Sequence, residues 1–337
     1  MPGKAKPGPS VKDDETYEAL RDEGASKEKA ARIANASAAR GRKAVGKKGG
    51  RAGSYDDQTV DQLRKRAKEL GLSGYSNKKK SELIAMLRNH LGLGLTEIRI
   101  GTSGWSYDHW ESVLYRPGLP PRDRLGRYVE AFDTVELNAS FYRWPQNTTF
   151  ASWRRRLPPG FLLTVKAPRG LTHAKRLYAP EAWVDRICVC WHELRDRRGV
   201  LLVQLHPQHT RDDDRLRYFL SRFPSWVRIA VEFRHPSWVD DAVFDLLADH
   251  GAAYTVMSGA GLPCVLRATT SWVYVRWHGP DRDHLYGGSY SDADLGWWAD
   301  RLREWRDSGH DVYGYFNNDG GGHAVRNAWT LRSMINS

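Results

Sequence analysis

Charged and amide side chains recur in this chain at the ends of short apolar runs. Glu136 and Asn138 close one run, and Lys166 closes the next. Gln204 and His206 follow a third, Glu232, Arg234 and His235 a fourth, Arg276 and His278 a fifth, and Tyr315, Asn317 and Asn318 a sixth. Two carboxylates beside several cations and an imidazole suit general acid–base chemistry on an anionic substrate. Glu136 or Glu232 would take a proton and His278 would act as its acid–base partner. Lys166, Arg234 and Arg276 would hold phosphate oxygens, bidentately where arginine is used. Asn138, His235, Tyr315 and Asn317 would add polar contacts. The stretch GTSGWSYDHW, 101–110, follows another apolar run. Its glycines suit a backbone that a ligand approaches closely, with Ser103 and Trp105 as contacts. Trp105, Tyr107, Phe141, Tyr142, Trp238, Tyr286 and Tyr290 could ring the same opening and stack on a base or sugar. No HxH or HExxH spacing occurs, so no metal is expected, and the sequence requires no cofactor.

Bringing these groups together needs a particular set of elements. Runs with strand character occupy 97–103, 133–141, 161–167, 199–206, 227–233, 252–258, 272–279 and 311–318. Helical patterns lie at 123–131, 148–157, 180–195, 212–222, 240–250, 292–308 and 324–334, and the link after the sixth strand is too short for a proper helix. Eight strand–helix units of this size predict an α/β fold, a TIM-type (β/α)8 barrel over 97–337. No GxGxxG or Walker sequence follows any strand, which argues against a doubly wound sheet. In such a barrel the C-terminal strand ends form the mouth. Period-two spacing puts Glu136 with Asn138, Arg276 with His278, and Tyr315 with Asn317 on one face. Burying charge is costly unless it is paired. Glu136, Lys166, Glu232 and Arg276 could therefore instead form an internal salt-bridge layer that fills the lumen.

The 337 residues carry 52 Lys+Arg and 40 Asp+Glu, a net charge of +12. Residues 1–95 hold +9 of it and the remainder only +3. A localised basic segment points to a polyanion partner, because neutralising phosphates releases counterions. Residues 1–54 read as a largely flexible basic segment with short helices at 13–23 and 26–40 and the linker GRKAVGKKGGRAGS. Residues 55–93 carry two helical patterns, one with Leu63, Ala67 and Leu70, the other over 78–90 with Leu83, Ile84 and Leu87. Three cysteines, Cys188, Cys190 and Cys264, form no metal or redox spacing and read as small core hydrophobes in a reducing compartment. With no apolar run long enough to span a membrane and no secretory h-region, a cytoplasmic location without membrane contact is expected.

The stretch LRKRAKELGLSGYSNKKKSELIAML, 63–87, resembles the SAP-like, Rho-termination-factor N-terminal type of helix–extended–helix module. The resemblance implies that nucleic acid, DNA or RNA, is held at the start of the second helix by Lys78, Lys79 and Lys80, with Arg64 and Lys65 adding charge. Six blocks of the barrel, GTSGWSY, TVELNASFYRWP, LTHAKRL, VEFRHPSW, YVRWHG and YGYFNND, together resemble the YecE-like family, domain of unknown function 72. That resemblance implies a TIM-barrel-like fold over about 97–334 and no established activity. Val256-Met257-Ser258-Gly259 departs from the family where an acidic residue often follows the sixth strand, and His206 replaces a compact proline-rich turn. The resulting expectation is a nucleic-acid-binding protein whose mouth takes a small anionic or nucleotide-like ligand, with hydrolysis as the candidate reaction. The alternatives are a carbohydrate-active enzyme using Glu136 and Glu232, and a ligand-binding scaffold without catalysis.

Overall fold

Gly199-Val200-Leu201-Leu202-Val203-Gln204 is apolar at odd and even positions alike. A strand of that pattern must be covered on both faces, as in a parallel sheet sheathed by helices. The structure, a computed structural model, describes residues 59–69, 74–76, 78–79, 83 and 96–336. In it this run is strand β4 (Arg198–Gln204), the middle of a closed arrangement. The other strands are β1 (Ile98–Thr102), β2 (Thr134–Leu137), β3 (Leu162–Lys166), β5 (Ile229–Glu232), β6 (Ala253–Ser258), β7 (Trp272–Trp277) and β8 (Asp311–Phe316). All pair in parallel, in the order β1-β8-β7-β6-β5-β4-β3-β2.

β1 and β2 meet at the remaining seam through a parallel bridge between Ser103 and Glu136, and the Gly104 amide donates to the Glu136 carbonyl at 2.7 Å. This seam corrects the reading of GTSGW. A Cβ on Gly101 would collide with the Thr134 carbonyl of β2. Gly104 has φ +102°, and a Cβ there would lie 2.6 Å from the Tyr107 hydroxyl. Gly101 therefore serves closure against β2, and Gly104 a left-handed turn packed on the Tyr107 hydroxyl.

Two cores follow from the alternation. Val200, Leu202, Ala230, Ala253, Trp272, Tyr274, Tyr313 and Tyr315 fill the lumen. Leu201, Val203, Val231, Val256 and Val275 point outward into a larger core shared with the helices. In the first part of the chain lies helix α1 (Val60–Glu69). Helices α2 (Pro121–Ala131), α3 (Asn147–Arg156), α4 (Glu181–Glu193), α5 (Asp213–Ser221), α6 (Asp241–Asp249), α7 (Asp292–Asp307) and α8 (His323–Asn336) complete the barrel units. Side-chain caps set several starts: Asp212 accepts from Arg215 N, Asp240 from Ala242 N, and Ser291 forms a capping box with Asp294. No helix separates β6 from β7, as that short link predicts.

Two expectations change. The run 133–141 is a strand only to Leu137, because Ala139–Tyr142 turns into a short helix. Ser140 drives this: its hydroxyl lies 2.9 Å from the Leu137 carbonyl and 2.7 Å from the Lys166 carbonyl, pinning the turn against the end of β3. Among the cysteines, Cys190 is buried and Cys188 half-buried, but Cys264 is exposed and not a core residue. It sits in the β6–β7 link, where no helix covers it.

The chain divides into two units, Met1–Gly94 and Leu95–Ser337. In the first, α1 begins with a reciprocal cap. Thr59 N donates to Gln62 Oε1 and Gln62 N to Thr59 Oγ1. Leu63 and Ala67, one turn apart, pack with Leu83, and Val60 and Tyr75 lie alongside. Of the second helical pattern only Leu83 is described as helical, its amide donating to the Lys79 carbonyl at 3.0 Å. The expected helices at 13–23 and 26–40 and the linker after them lie outside the described residues, as does Lys80. Among the described residues no helix is long and apolar enough to cross a membrane.

Candidate active site

The last inward-facing residue of each strand determines what the mouth contains. β2 contributes Glu136, β3 Lys166, β4 Gln204, β5 Glu232 and β7 Arg276, and Ser103 follows β1. One guanidinium organises them. Arg276 donates from Nη2 to Glu136 Oε1 at 2.7 Å and from Nη1 to Glu232 Oε2 at 2.6 Å. All three side chains are completely buried. Ser103 Oγ donates to Glu136 Oε1 and Tyr274 OH to Glu136 Oε2, both at 2.6 Å. Gln204 Nε2 donates to Glu232 Oε1 at 2.6 Å, and Arg234 Nε also reaches that oxygen. Every carboxylate oxygen thus already accepts a hydrogen bond, which is how buried charge is tolerated. Burial alone would raise the Glu232 pKa, but Arg234, Arg276, His278 and Lys166 outweigh it and hold the carboxyl well below its ordinary range.

His278 is buried beside this frame. Burial first, then the Arg276 charge, holds its pKa well below the ordinary imidazole value. Arg234 Nη2 lies 3.3 Å from its Nε2, and the Asn317 carboxamide lies 3.2 Å from its Nδ1. A guanidinium only donates, so Nε2 accepts and Nδ1 carries the proton. The Asn317 carboxamide then turns its oxygen toward that proton. Asn138 and Asn317 lie 3.4 Å apart, and the Asn138 Oδ1 position is a buried polar site with no partner.

Lys166 differs from every other charged group here. Its amine makes no hydrogen bond or ion pair with any described residue and instead lies 4.4 Å over the Phe141 ring. The nitrogen is not one of the buried polar atoms left without a partner, so its end meets solvent, although the residue is only 9% exposed. Burial, with the Arg276 and Arg234 charges, outweighs Glu232 and Glu136 and pulls its pKa down to about 7. The Phe141 ring is held there by the Ser140 turn. His173 packs against the same ring at 4.9 Å and against His206 at 5.1 Å. Burial and the neighbouring His206 lower the His173 pKa to about 4.

The site residues expected from sequence thus separate by depth and partner. Glu136, Glu232, Arg276 and His278 meet in one network with Ser103, Arg234, Asn138 and Asn317. Tyr315 lies a layer deeper, its hydroxyl between Thr134 at 2.7 Å and Thr164 at 2.9 Å, with no exposed surface to offer a ligand. His235 turns aside to cap the 3-10 turn that follows β5, accepting from Ser237 N. Of the proposed aromatic ring, Trp238 stacks on Phe233 in the outer core and Tyr290 is buried, whereas Tyr142 and Tyr286 are exposed and Trp105 and Tyr107 half-buried. The sequence reading missed Tyr274, which alternates with Arg276 and His278 along β7. It also left Gln204 without a role. Among the described residues no group of three or more His, Cys, Asp and Glu is arranged to hold a metal ion.

Three pH effects follow. A buried neutral His278 leaves the unfolded imidazole alone to bind a proton below its ordinary 6.5, so stability begins to fall there on acidification. The depressed Glu232 pKa contributes stability that is complete above the ordinary 4.5 and is lost as pH falls through the lower folded value. Denaturant titrations from pH 8 to 3 should show both stages, and Glu232→Gln should flatten the acid one; a pH-independent midpoint above pH 5 would contradict the first. Lys166 acts in the same direction at higher pH. Between about 7 and 10.5 the unfolded chain binds the proton that the folded chain lacks, so wild-type stability rises with pH. Lys166→Met should therefore raise the melting temperature at pH 7, with a gain that shrinks toward pH 10; a constant or growing gain would contradict the desolvated amine.

In the first unit, Lys65 and Lys79 are exposed and Lys78 half-buried. Arg64 lies 3.8 Å from Asp61, an exposed pair worth little.

Comparison with known proteins fits this division. Residues 99–337 match the family described as protein of unknown function DUF72, residues 55–91 the Rho termination factor, N-terminal domain, and residues 6–53 a family of unknown function, DUF7218. UPF0759 protein YunF of Bacillus subtilis (strain 168) is 27% identical over 269 residues, covering 71% of this chain and 94% of that protein. The crystal structure of a DUF72 family protein from Thermotoga maritima is 28% identical with a TM-score of 0.64, covering 72% of this chain and 100% of that one. A DUF72 family protein from Enterococcus faecalis shares the fold at 17% identity and a TM-score of 0.62, over 71% of this chain and 96% of that one. With residues 99–337, well over half of the chain, matching that family, the chain belongs to DUF72, a family of unknown function.

Proposed function

We propose that this protein is a nucleic-acid-associated barrel whose mouth binds a small anionic, nucleotide-like ligand through Lys166. The module over 55–91 holds the polyanion, and Asn138, Asn317 and the edge of Arg234 border the ligand. The observation that carries the reading is the unpaired Lys166 amine beside a network in which every other charge is matched. A cation left without a carboxylate at a strand end is available to an external anion.

Hydrolysis fits less well. Glu136 and Glu232 share one guanidinium, and His278 has both nitrogens engaged, so none is an open general base. The same bridge leaves neither carboxyl as the protonated acid that glycoside hydrolysis needs. Binding, with chemistry centred on the amine, is what the groups at the mouth can do. Calorimetry with a nucleoside monophosphate at low salt tests this. Removing one charge-assisted interaction in Lys166→Met should weaken binding by roughly 10- to 100-fold. Equal affinity in the variant and wild type would reject the site, and so would no binding to either.

A further inference from the structure

Lysine is rare in this barrel. Beyond residue 95 the chain holds only Lys166 and Lys175, and every other basic side chain that could carry a fixed charge is arginine. Arginine is the better permanent cation and phosphate fork; lysine is the one that can lose its proton and become a nucleophile. Lys166 stands at the end of β3, where barrels place reacting groups. Its amine faces an aromatic ring 4.4 Å away, has no acceptor to hold it as an ammonium, and has Arg276 among its neighbours. A desolvated amine beside another cation is the arrangement that activates a lysine toward carbonyl carbon.

We infer that Lys166 forms an imine with an aldehyde that carries phosphate, a substrate class that rests on the anion-binding reading above. The neutral amine attacks the aldehyde carbon, and the C=O π pair moves to oxygen. Proton transfer from nitrogen to that oxygen gives a carbinolamine. The carbinolamine hydroxyl then takes a proton from solvent and leaves as water as the C–O bond breaks, and the nitrogen lone pair closes the C=N bond as an iminium. Water is the only by-product, and hydrolysis reverses the sequence without any redox step. His173 packs edge-on against the same Phe141 ring. Its Nδ1 lies 2.9 Å from Thr172 Oγ1, and that hydroxyl turns its hydrogen to the Pro168 carbonyl at 3.3 Å. Nδ1 therefore donates, and Nε2 keeps an open lone pair for proton relay. Arg234 and the Asn138–Asn317 pair border the phosphate.

Such an aldehyde has two sources: a free sugar phosphate, or the ring-opened sugar of an abasic site, flanked by phosphates in a nucleic-acid strand. The full chain is incubated with cyanoborohydride and either glyceraldehyde 3-phosphate or an oligonucleotide bearing one abasic site, then digested and mapped. The expected result is an adduct on Lys166 at least tenfold faster than on Lys175, absent in Lys166→Arg. A free aldehyde that reacts while the oligonucleotide does not assigns the small-molecule source, and the reverse assigns the strand. Labelling of Lys166 no faster than Lys175 with both probes overturns the imine. Nucleoside monophosphate affinity in Lys166→Met separates the two readings. Weakened affinity without trapping leaves the anion site standing and rejects the imine. Trapping with unchanged affinity supports the imine and rejects the anion site.

Discussion

Arg276→Met lowers the stability of the barrel by about 3–5 kcal/mol, the cost of leaving buried carboxylates without their partner. For a unit of this size that is a fall in melting temperature of roughly 6–20 °C. The reason lies in the geometry. Arg276 is completely buried and is the group that touches Glu136 and Glu232 together, at 2.7 and 2.6 Å. Removing it leaves Glu136 with two hydroxyl donors and Glu232 with Gln204 and Arg234. Of the two roles the sequence offers Arg276, a phosphate contact or a member of an internal salt-bridge layer, its position between two carboxylates supports the second. A double variant, Arg276→Met with Glu136→Gln, should recover part of the loss, because it removes one charge of each sign and leaves Glu232 its Arg234 and Gln204 partners. Thermal denaturation of the single and double variants checks both. A melting temperature within about 2 °C of wild type for Arg276→Met, well under the shift expected for such a loss, would contradict the network as a source of stability.

The second large effect concerns the module over 55–91. Changing Lys78, Lys79 and Lys80 together to Glu should weaken binding of the full chain to a short single-stranded DNA or RNA by about 100-fold or more at 50 mM salt. It should also reduce the dependence of log K on log salt by about 3, one for each phosphate that no longer meets a lysine. The expectation rests on the match to the Rho termination factor N-terminal domain and on the +9 charge of residues 1–95. Fluorescence anisotropy at 50, 100 and 200 mM salt reads both quantities. An unchanged slope would place the polyanion contacts elsewhere in the chain.

How far the sequence carries can be read from particular residues. The strands were legible because each is a short apolar run bounded by turns, and the eight repeats counted out a barrel. The convergence of Glu136, Glu232, Arg276 and His278 was legible from period-two spacing at strand ends. What spacing cannot supply is depth. Tyr315 and Asn317 share a face, yet one hydroxyl is tied between Thr134 and Thr164 below the site while the other side chain meets His278. Nor does spacing reveal pairing. Lys166 and Arg276 look alike as cations in the sequence, and only the positions of two carboxylates show that one is fully matched and the other is not. The apolar run 133–141 predicts a strand through Asn138, but the Ser140 hydroxyl bends the chain there, exposing Tyr142 and setting Phe141 beneath the lysine. The seam glycines misled for a related reason: a demand for closeness is written in the sequence, but the group that comes close is not.

Both readings of the mouth depend on the protonation of one amine. Reductive methylation with 13C-formaldehyde labels the lysines, and the resonance absent from Lys166→Met identifies this one. Followed by NMR from pH 5 to 11, that resonance should titrate near 7, well apart from the other lysines. Titration at the ordinary 10.5 would show a solvated ammonium and contradict the buried, unpaired lysine on which the site is built.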